Sequence, residues 1–249
     1  MRLKGKRALI TGVGQGLGQN MAYALAREGC TVVGFEIRPA LLEMTTRVLR
    51  QRGHDASGYV VDVSDHLAVH EAVAAVYEEV GPVDFLINNA GKGQREPFTK
   101  LTREIWDYML AVNLTSAFNL CHAIVPRMLE RGEPARIVNL ASLAATSGGR
   151  VLGKSAYAAA KGGIIALTKA LAIELAPHHI TVNCISPGVH NTPRRANDSA
   201  AEQKLIMDNI PMKMLGDPAD LAETVVFFCL PSSRYITGII LSQDGGHSI

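Results

Sequence analysis

The sequence predicts an α/β fold, a doubly wound parallel sheet of seven strands with helices on both faces, and three observations carry that prediction. Short β-branched runs alternate with longer helical stretches through all 249 residues. The runs are continuously apolar rather than alternating, as strands covered on both faces are. A glycine-rich turn joins the first run to the first helical stretch.

The strands are expected at 7–11, 31–35, 58–61, 84–87, 136–140, 180–184 and 238–241, and the helices at 16–28, 40–52, 65–80, 102–130, 155–176 and 217–229. Each connection between strands can hold a right-handed crossover helix, which makes the sheet parallel. No linker, repeat or low-complexity tract interrupts the alternation, so residues 1–249 are expected to form one domain. The exception to the pattern is the stretch 188–216. A loop that long in a compact domain is usually functional, and it is expected to be a substrate-binding lid.

Composition excludes several functions. Twenty-five basic residues against 23 acidic ones give a net charge of +2. That balance offers no electrostatic case for nucleic acid or an anionic membrane as partner. No run approaches 18 consecutive apolar residues, so no transmembrane helix is expected. The basic N-terminus, residues 1–7, is followed by four residues, Ala8 to Thr11, before Gly12. Four is too few for a signal-peptide core, and a soluble cytoplasmic protein is expected. Cys30, Cys121, Cys184 and Cys229 lie far apart in apolar runs and are expected to be buried and reduced. The histidines are expected to hold no metal, with His178 and His179 in a solvated turn after Pro177.

The turn after the first strand reads Thr11-Gly12-Val13-Gly14-Gln15-Gly16-Leu17-Gly18. Its glycines permit a tight turn and let the backbone approach a pyrophosphate. The following helix offers free N–H donors and the positive end of its dipole. This marks a Rossmann-type dinucleotide site, with Gly12, Gln15, Gly16, Leu17 and Gly18 against the cofactor. Glu36 closes the second strand 18 residues beyond Gly18. A carboxylate there accepts hydrogen bonds from a ribose diol and repels a 2′-phosphate, which favours NAD over NADP. Arg38 argues the other way, since it could bind a phosphate if it swings inward.

Tyr157 and Lys161 stand four residues apart in the 155–176 helix, so both point into the same cleft. A free phenol has a pKa of about 10 and needs a drop of roughly 2–3 units to exchange a proton with an alcohol near neutral pH. A neighbouring ammonium favours the phenolate.

With these motifs in place, the chain resembles the short-chain dehydrogenases/reductases over essentially its whole length. The resemblance rests on the glycine turn, Asp62-Val63, Asn88-Asn89-Ala90-Gly91, Asn113, Ser142, Tyr157 with Lys161, and the stretch Pro187 to Thr192, in that order. It implies that Tyr157 is the general acid/base and that Ser142 binds the substrate oxygen. It implies that Lys161 lowers the Tyr157 pKa and holds the nicotinamide ribose, and that Asn113 anchors a proton-relay water. Asp62 and Val63 would contact adenine. Asn89, with Ala90 and Gly91, would sit beside the adenosine ribose. The backbone at Gly188 and His190, and Thr192, would fix the nicotinamide carboxamide.

Some features depart from the family pattern. Ser142 lies 15 residues before Tyr157, slightly more than the family's spacing, which suggests a longer substrate loop at 143–154. Ser147 is the fallback for the serine role. His190 replaces an aliphatic residue, and its imidazole either faces the substrate or sits in a surface loop. Lys92, Arg150, Lys154, Arg194 and Arg195 either meet an anionic substrate or form a solvated rim. Ile206, Met207, Ile210, Met212 and Met214 suit a flexible apolar lid or plain helix packing.

The expected function is an NAD-dependent oxidoreductase that interconverts an alcohol, secondary in the first instance, and a ketone or aldehyde. The alternatives are an NADPH-dependent 3-oxoacyl-carrier-protein reductase and a non-catalytic dinucleotide-sensing protein. The 155–176 helix and the 114–129 stretch are apolar almost all round, which suggests a homotetramer or homodimer through both.

Overall fold

The structure is a computed structural model that describes residues 1–94, 96–148, 154–196 and 198–249. The first half of the chain runs β1 (Arg7–Thr11), α1 (Gly16–Arg27), β2 (Thr31–Glu36), α2 (Pro39–Gln51), β3 (Ala56–Val60) and α3 (His66–Glu79). The chain then crosses back to β4 (Phe85–Asn88), beside β1. It continues through α4 (Arg103–Leu110), α5 (Ser116–Arg131), β5 (Ala135–Leu140), α6 (Ala144–Ser147) and α7 (Ser155–Leu175). It ends with β6 (Ile180–Pro187), α8 (Ala200–Asn209), α9 (Pro218–Cys229) and β7 (Ile240–Gln243).

All seven strands are parallel, in the order β3-β2-β1-β4-β5-β6-β7. Strand order reverses between β1 and β4, and a crevice opens there at the carboxyl ends of the strands. Adjacent residues of β1 serve opposite faces: Leu9 joins the core under α3 and α5, and Ile10 joins the core under α1 and α9. Both are fully buried, which explains why the strands read as unbroken apolar runs.

The expected strands and long helices are all present, with three differences. The helix expected over 102–130 is two helices joined by a π-helical turn, Ala111–Thr115. The long stretch 188–216 contains α8, whose Ser199 and Glu202 form a reciprocal capping box. Part of the 143–154 loop is the short helix α6, while residues 149–153 lie outside the described residues.

All four cysteines are free and buried, and burial pushes the Cys121 thiol up to about 12. His178 and His179 are exposed after α7. Two helical stretches, Arg103–Arg131 and Ser155–His178, are long and apolar enough to cross a membrane by length and composition, which counting consecutive apolar residues does not reveal. Both pack against the sheet, α5 on β4 and α7 on β5 and β6.

Candidate active site

Thr11 ends β1 and stitches two site loops together. Its hydroxyl oxygen accepts the N–H groups of Asn89 at 3.0 Å and Ala90 at 2.9 Å. The Asn89 amide donates to the carbonyls of Thr11 and Gly12 at 2.8 and 3.3 Å. Gly18 closes the turn so tightly that a Cβ there would lie 2.1 Å from the Gly12 oxygen. Gly12 and Gly16 take positive φ values of 70° and 59°, which side chains disfavour. The glycines thus leave the backbone uncovered by side chains where a pyrophosphate would rest, at the N-terminus of α1.

Glu36 is only 4% exposed, so it is not a solvated strand end. One carboxylate oxygen accepts the Gly14 N–H at 3.0 Å, and the other accepts Arg38 Nε at 2.9 Å and Arg38 N–H at 3.2 Å. Arg38 is therefore paired with the carboxylate that it was expected to oppose. Asp62 is exposed and accepts from the Ser64 N–H and hydroxyl; Val63 is buried.

Tyr157 and Lys161 share the inner face of α7, with the ammonium 6.0 Å from the phenol ring centroid. Lys161 is 4% exposed and donates to the Leu140 carbonyl at 2.7 Å. Burial is the main reason that its pKa falls to about 8; the Arg194 charge lowers it further, and Cys184 opposes the shift. Ser142 accepts the Ala144 N–H at 3.1 Å, which leaves its hydroxyl hydrogen free to point elsewhere. The Ser147 hydroxyl instead donates to the Leu143 carbonyl within its own helical turn.

Asn113 lies in the π-helical turn, a distortion common at functional positions. Its amide is clasped to the Lys92 backbone: Oδ1 accepts the N–H at 3.0 Å, and Nδ2 donates to the carbonyl at 2.9 Å. Gly91 makes room for this, since a Cβ there would lie 2.7 Å from Asn113 Oδ1 and 3.4 Å from Lys161 Nζ.

Sequence reasoning passed over Gln94, which is buried just beyond the Asn89 to Gly91 loop. Its Oε1 accepts the N–H groups of Ala156 and Tyr157, so a loop residue caps the first turn of α7. Nothing near Tyr157 in the chain signals that contact.

His190 does not sit in a solvated surface loop: it is buried and borders the cleft. Its ring is buried, Nδ1 lies 3.2 Å from the Gly188 carbonyl, and a Cβ on Gly216 would lie 2.6 Å from the ring. His190 also forms a parallel bridge with Gly216, which closes the neck of the 188–216 excursion. Within the excursion, Ile206 and Ile210 pack inward, while Met212 and Met214 are exposed. Of the suggested basic residues, Lys92, Arg194 and Arg195 line one cleft, where Arg195 pairs with Asp198 at 2.7 Å and Lys92 lies over the Tyr108 ring; Arg150 falls outside the described residues.

One cleft of about 1080 Å³ joins these parts. Gly12, Gln15 to Gly18, Glu36, Asp62, Val63 and Asn89 to Gly91 line it toward β2 and β3. Ser142, Tyr157, Lys161, Gly188, His190 and Thr192 line it toward β5 and β6. Asn113 stands behind the wall, fully buried. The cleft has the size and the backbone and polar donors that an extended dinucleotide needs.

Known proteins are similar to this chain over nearly its whole length. A family described as enoyl-(acyl carrier protein) reductase matches residues 12–248. The hydroxy(phenyl)methylsuccinyl-CoA dehydrogenase subunit BbsD of Thauera aromatica is 35% identical over 100% of this chain and 99% of its own. The 3-oxoacyl-(acyl-carrier-protein) reductase FabG of Thermotoga maritima is 33% identical over 99% of both chains. A solved structure from Agrobacterium tumefaciens, assigned as a 2-deoxy-D-gluconate 3-dehydrogenase with bound NADP, superposes with a TM-score of 0.90. It is 35% identical and covers 98% of this chain and 97% of its own.

Proposed function

We propose that this chain, which belongs to the short-chain dehydrogenase/reductase family, is an NAD-dependent dehydrogenase interconverting a secondary alcohol and its carbonyl compound. NAD(P)-dependent oxidoreduction at a CH–OH group follows from the family; the choice of NAD and the residue roles are our reading. The observation that carries it is the single cleft with a buried carboxylate, Glu36, at one end and the Tyr157–Lys161 pair at the other. A 2′-phosphate at the Glu36 end would meet a negative charge shielded from water.

Bound NAD supplies the hydride acceptor. Tyr157 takes the alcohol proton, and in the reverse direction returns it to the carbonyl oxygen. Ser142 donates its free hydroxyl hydrogen to the same oxygen. Lys161, anchored on the Leu140 carbonyl, keeps N–H groups for the ribose and a positive charge beside the phenol. Gln94 holds the helix turn that aims Tyr157.

NADPH-dependent reduction of a 3-oxoacyl thioester is the second reading. It draws on Arg38, half-exposed at the adenosine end, and on the similarity to FabG. We further propose a homotetramer or homodimer through the outward apolar faces of α5 and α7, where Phe118 and Ile173 are exposed, and a cytoplasmic location.

The deciding experiment compares kcat/KM for NAD and NADP across secondary alcohols, sugars, steroids and hydroxyacyl thioesters. Comparable efficiency with the two cofactors removes the NAD assignment. Tyr157→Phe is expected to abolish turnover by about 10³-fold or more while the cofactor still binds.

A further inference from the structure

Three histidines meet on the outer surface where α3 packs on α5. His66 and His70 stand four residues apart on α3, an HxxxH spacing that the sequence reading passes over, and His122 comes from α5. The expectation that the histidines hold no metal treats them separately, and the fold brings them together. One ring nitrogen from each lies within 4.8 Å of the other two, and His70 Nε2 is 3.1 Å from His122 Nδ1. Phe118 stacks against His66 and His122, with centroids 6.4 and 5.4 Å away.

We infer that His66, His70 and His122 form a binding site for one divalent late transition-metal ion of the zinc class, with a fourth position open to water. Imidazole is a preferred ligand for such ions. Three nitrogens bound tetrahedrally at the usual metal–nitrogen distance stand about 3.3 Å apart, so one pair already has that spacing and the third ring needs a small rotation. The i, i+4 spacing puts two imidazoles on one helix face.

The surroundings orient the ligands. Asn119 is buried, and its Nδ2 donates to the carbonyls of Val63 and Ser64 at 3.1 and 3.3 Å. Its Oδ1 therefore faces His66 Nδ1, 3.1 Å away, and that nitrogen must carry the hydrogen. The lone pair of His66 is then on Nε2. An outer-shell acceptor that fixes a histidine tautomer is a usual companion of metal ligation. The Arg127 guanidinium lies over the Tyr77 ring at 4.6 Å.

The site is tested on untagged protein stripped with EDTA and titrated with zinc chloride alone. One zinc per chain is expected, with a Kd of about 10 μM or tighter. Zinc should raise the Tm, EDTA should reverse the rise, and a His70→Gln/His122→Gln double variant should bind at least ~10-fold more weakly. Alcohol oxidation without zinc should be unchanged in that variant. Binding weaker than ~1 mM, or binding that the double variant retains, overturns the proposal. Should the double variant fail to fold, His122→Gln alone decides in the same way, because its ring is exposed.

Discussion

Gln94 Oε1 accepts the backbone N–H of Tyr157 at 3.2 Å, across 63 residues of sequence. The same oxygen accepts the Ala156 N–H at 3.1 Å, and Gln94 Nε2 donates to the Glu96 carbonyl at 2.9 Å. Lys154, at the N-cap of α7, gives no side-chain hydrogen bond, so Gln94 supplies the cap from another element.

Gln94→Leu keeps the volume and removes the acceptor. It leaves two helix N–H groups without that partner, and the expected loss of stability is about 1–2 kcal/mol. We expect kcat to fall about tenfold or more, because a proton donor misplaced by a fraction of an ångström loses much of its effect. The Kd for the dinucleotide should hold. Steady-state kinetics and a cofactor titration on the same variant separate the two, and an unchanged kcat would remove Gln94 from the positioning role.

Glu36→Ser is expected to release Arg38 and delete the carboxylate. Efficiency with NAD should fall on the order of 10–100-fold, the equivalent of about one hydrogen bond to a charged group. Efficiency with NADP should rise, since the guanidinium becomes free to meet a phosphate. Paired kcat/KM values for the two cofactors check this.

Lys161 makes a pH-dependent contribution whose sign follows from its pKa. Its folded value, about 8, lies below the ordinary 10.5, so between those values the unfolded chain binds more protons than the folded one. Folding stability therefore rises with pH through that window, by up to about 3 kcal/mol at full effect. Lys161→Met lacks the rise. Urea melts at several pH values from 7 to 10.5 should show wild type gaining on the variant, while the variant has lost nearly all activity at every pH.

The strands were legible because a sheet covered on both faces demands apolar residues at every position, as Leu9 and Ile10 illustrate. The cleft residues were legible because the glycine turn, Glu36 and the Tyr157–Lys161 pair are each local patterns. The π-helical turn was not, since a single extra residue per turn at Asn113 barely disturbs helical periodicity across 102–130. Gln94 and the histidine cluster stayed hidden for a different reason. Gln94 and the meeting of His122 with His66 and His70 depend on contacts between segments that only the folded chain brings together, whereas the His66–His70 spacing is itself local. The burial of His190 was not legible, because its partners, Gly188 and Gly216, stand at the two ends of the excursion that it closes.

That closure separates two tasks within one polypeptide. The Gly216 N–H donates to the Val189 carbonyl, and the Asn191 N–H to the Gly216 carbonyl, so both ends of the excursion are fastened at one point beside the sheet. Beyond Thr192, which lines the dinucleotide cleft, residues between these posts can change in length and shape with little effect on the cradle, as surface insertions flanked by fixed ends generally can. We propose that the part of the excursion beyond Thr192 sets the choice of alcohol, while the redox chemistry stays on the frame.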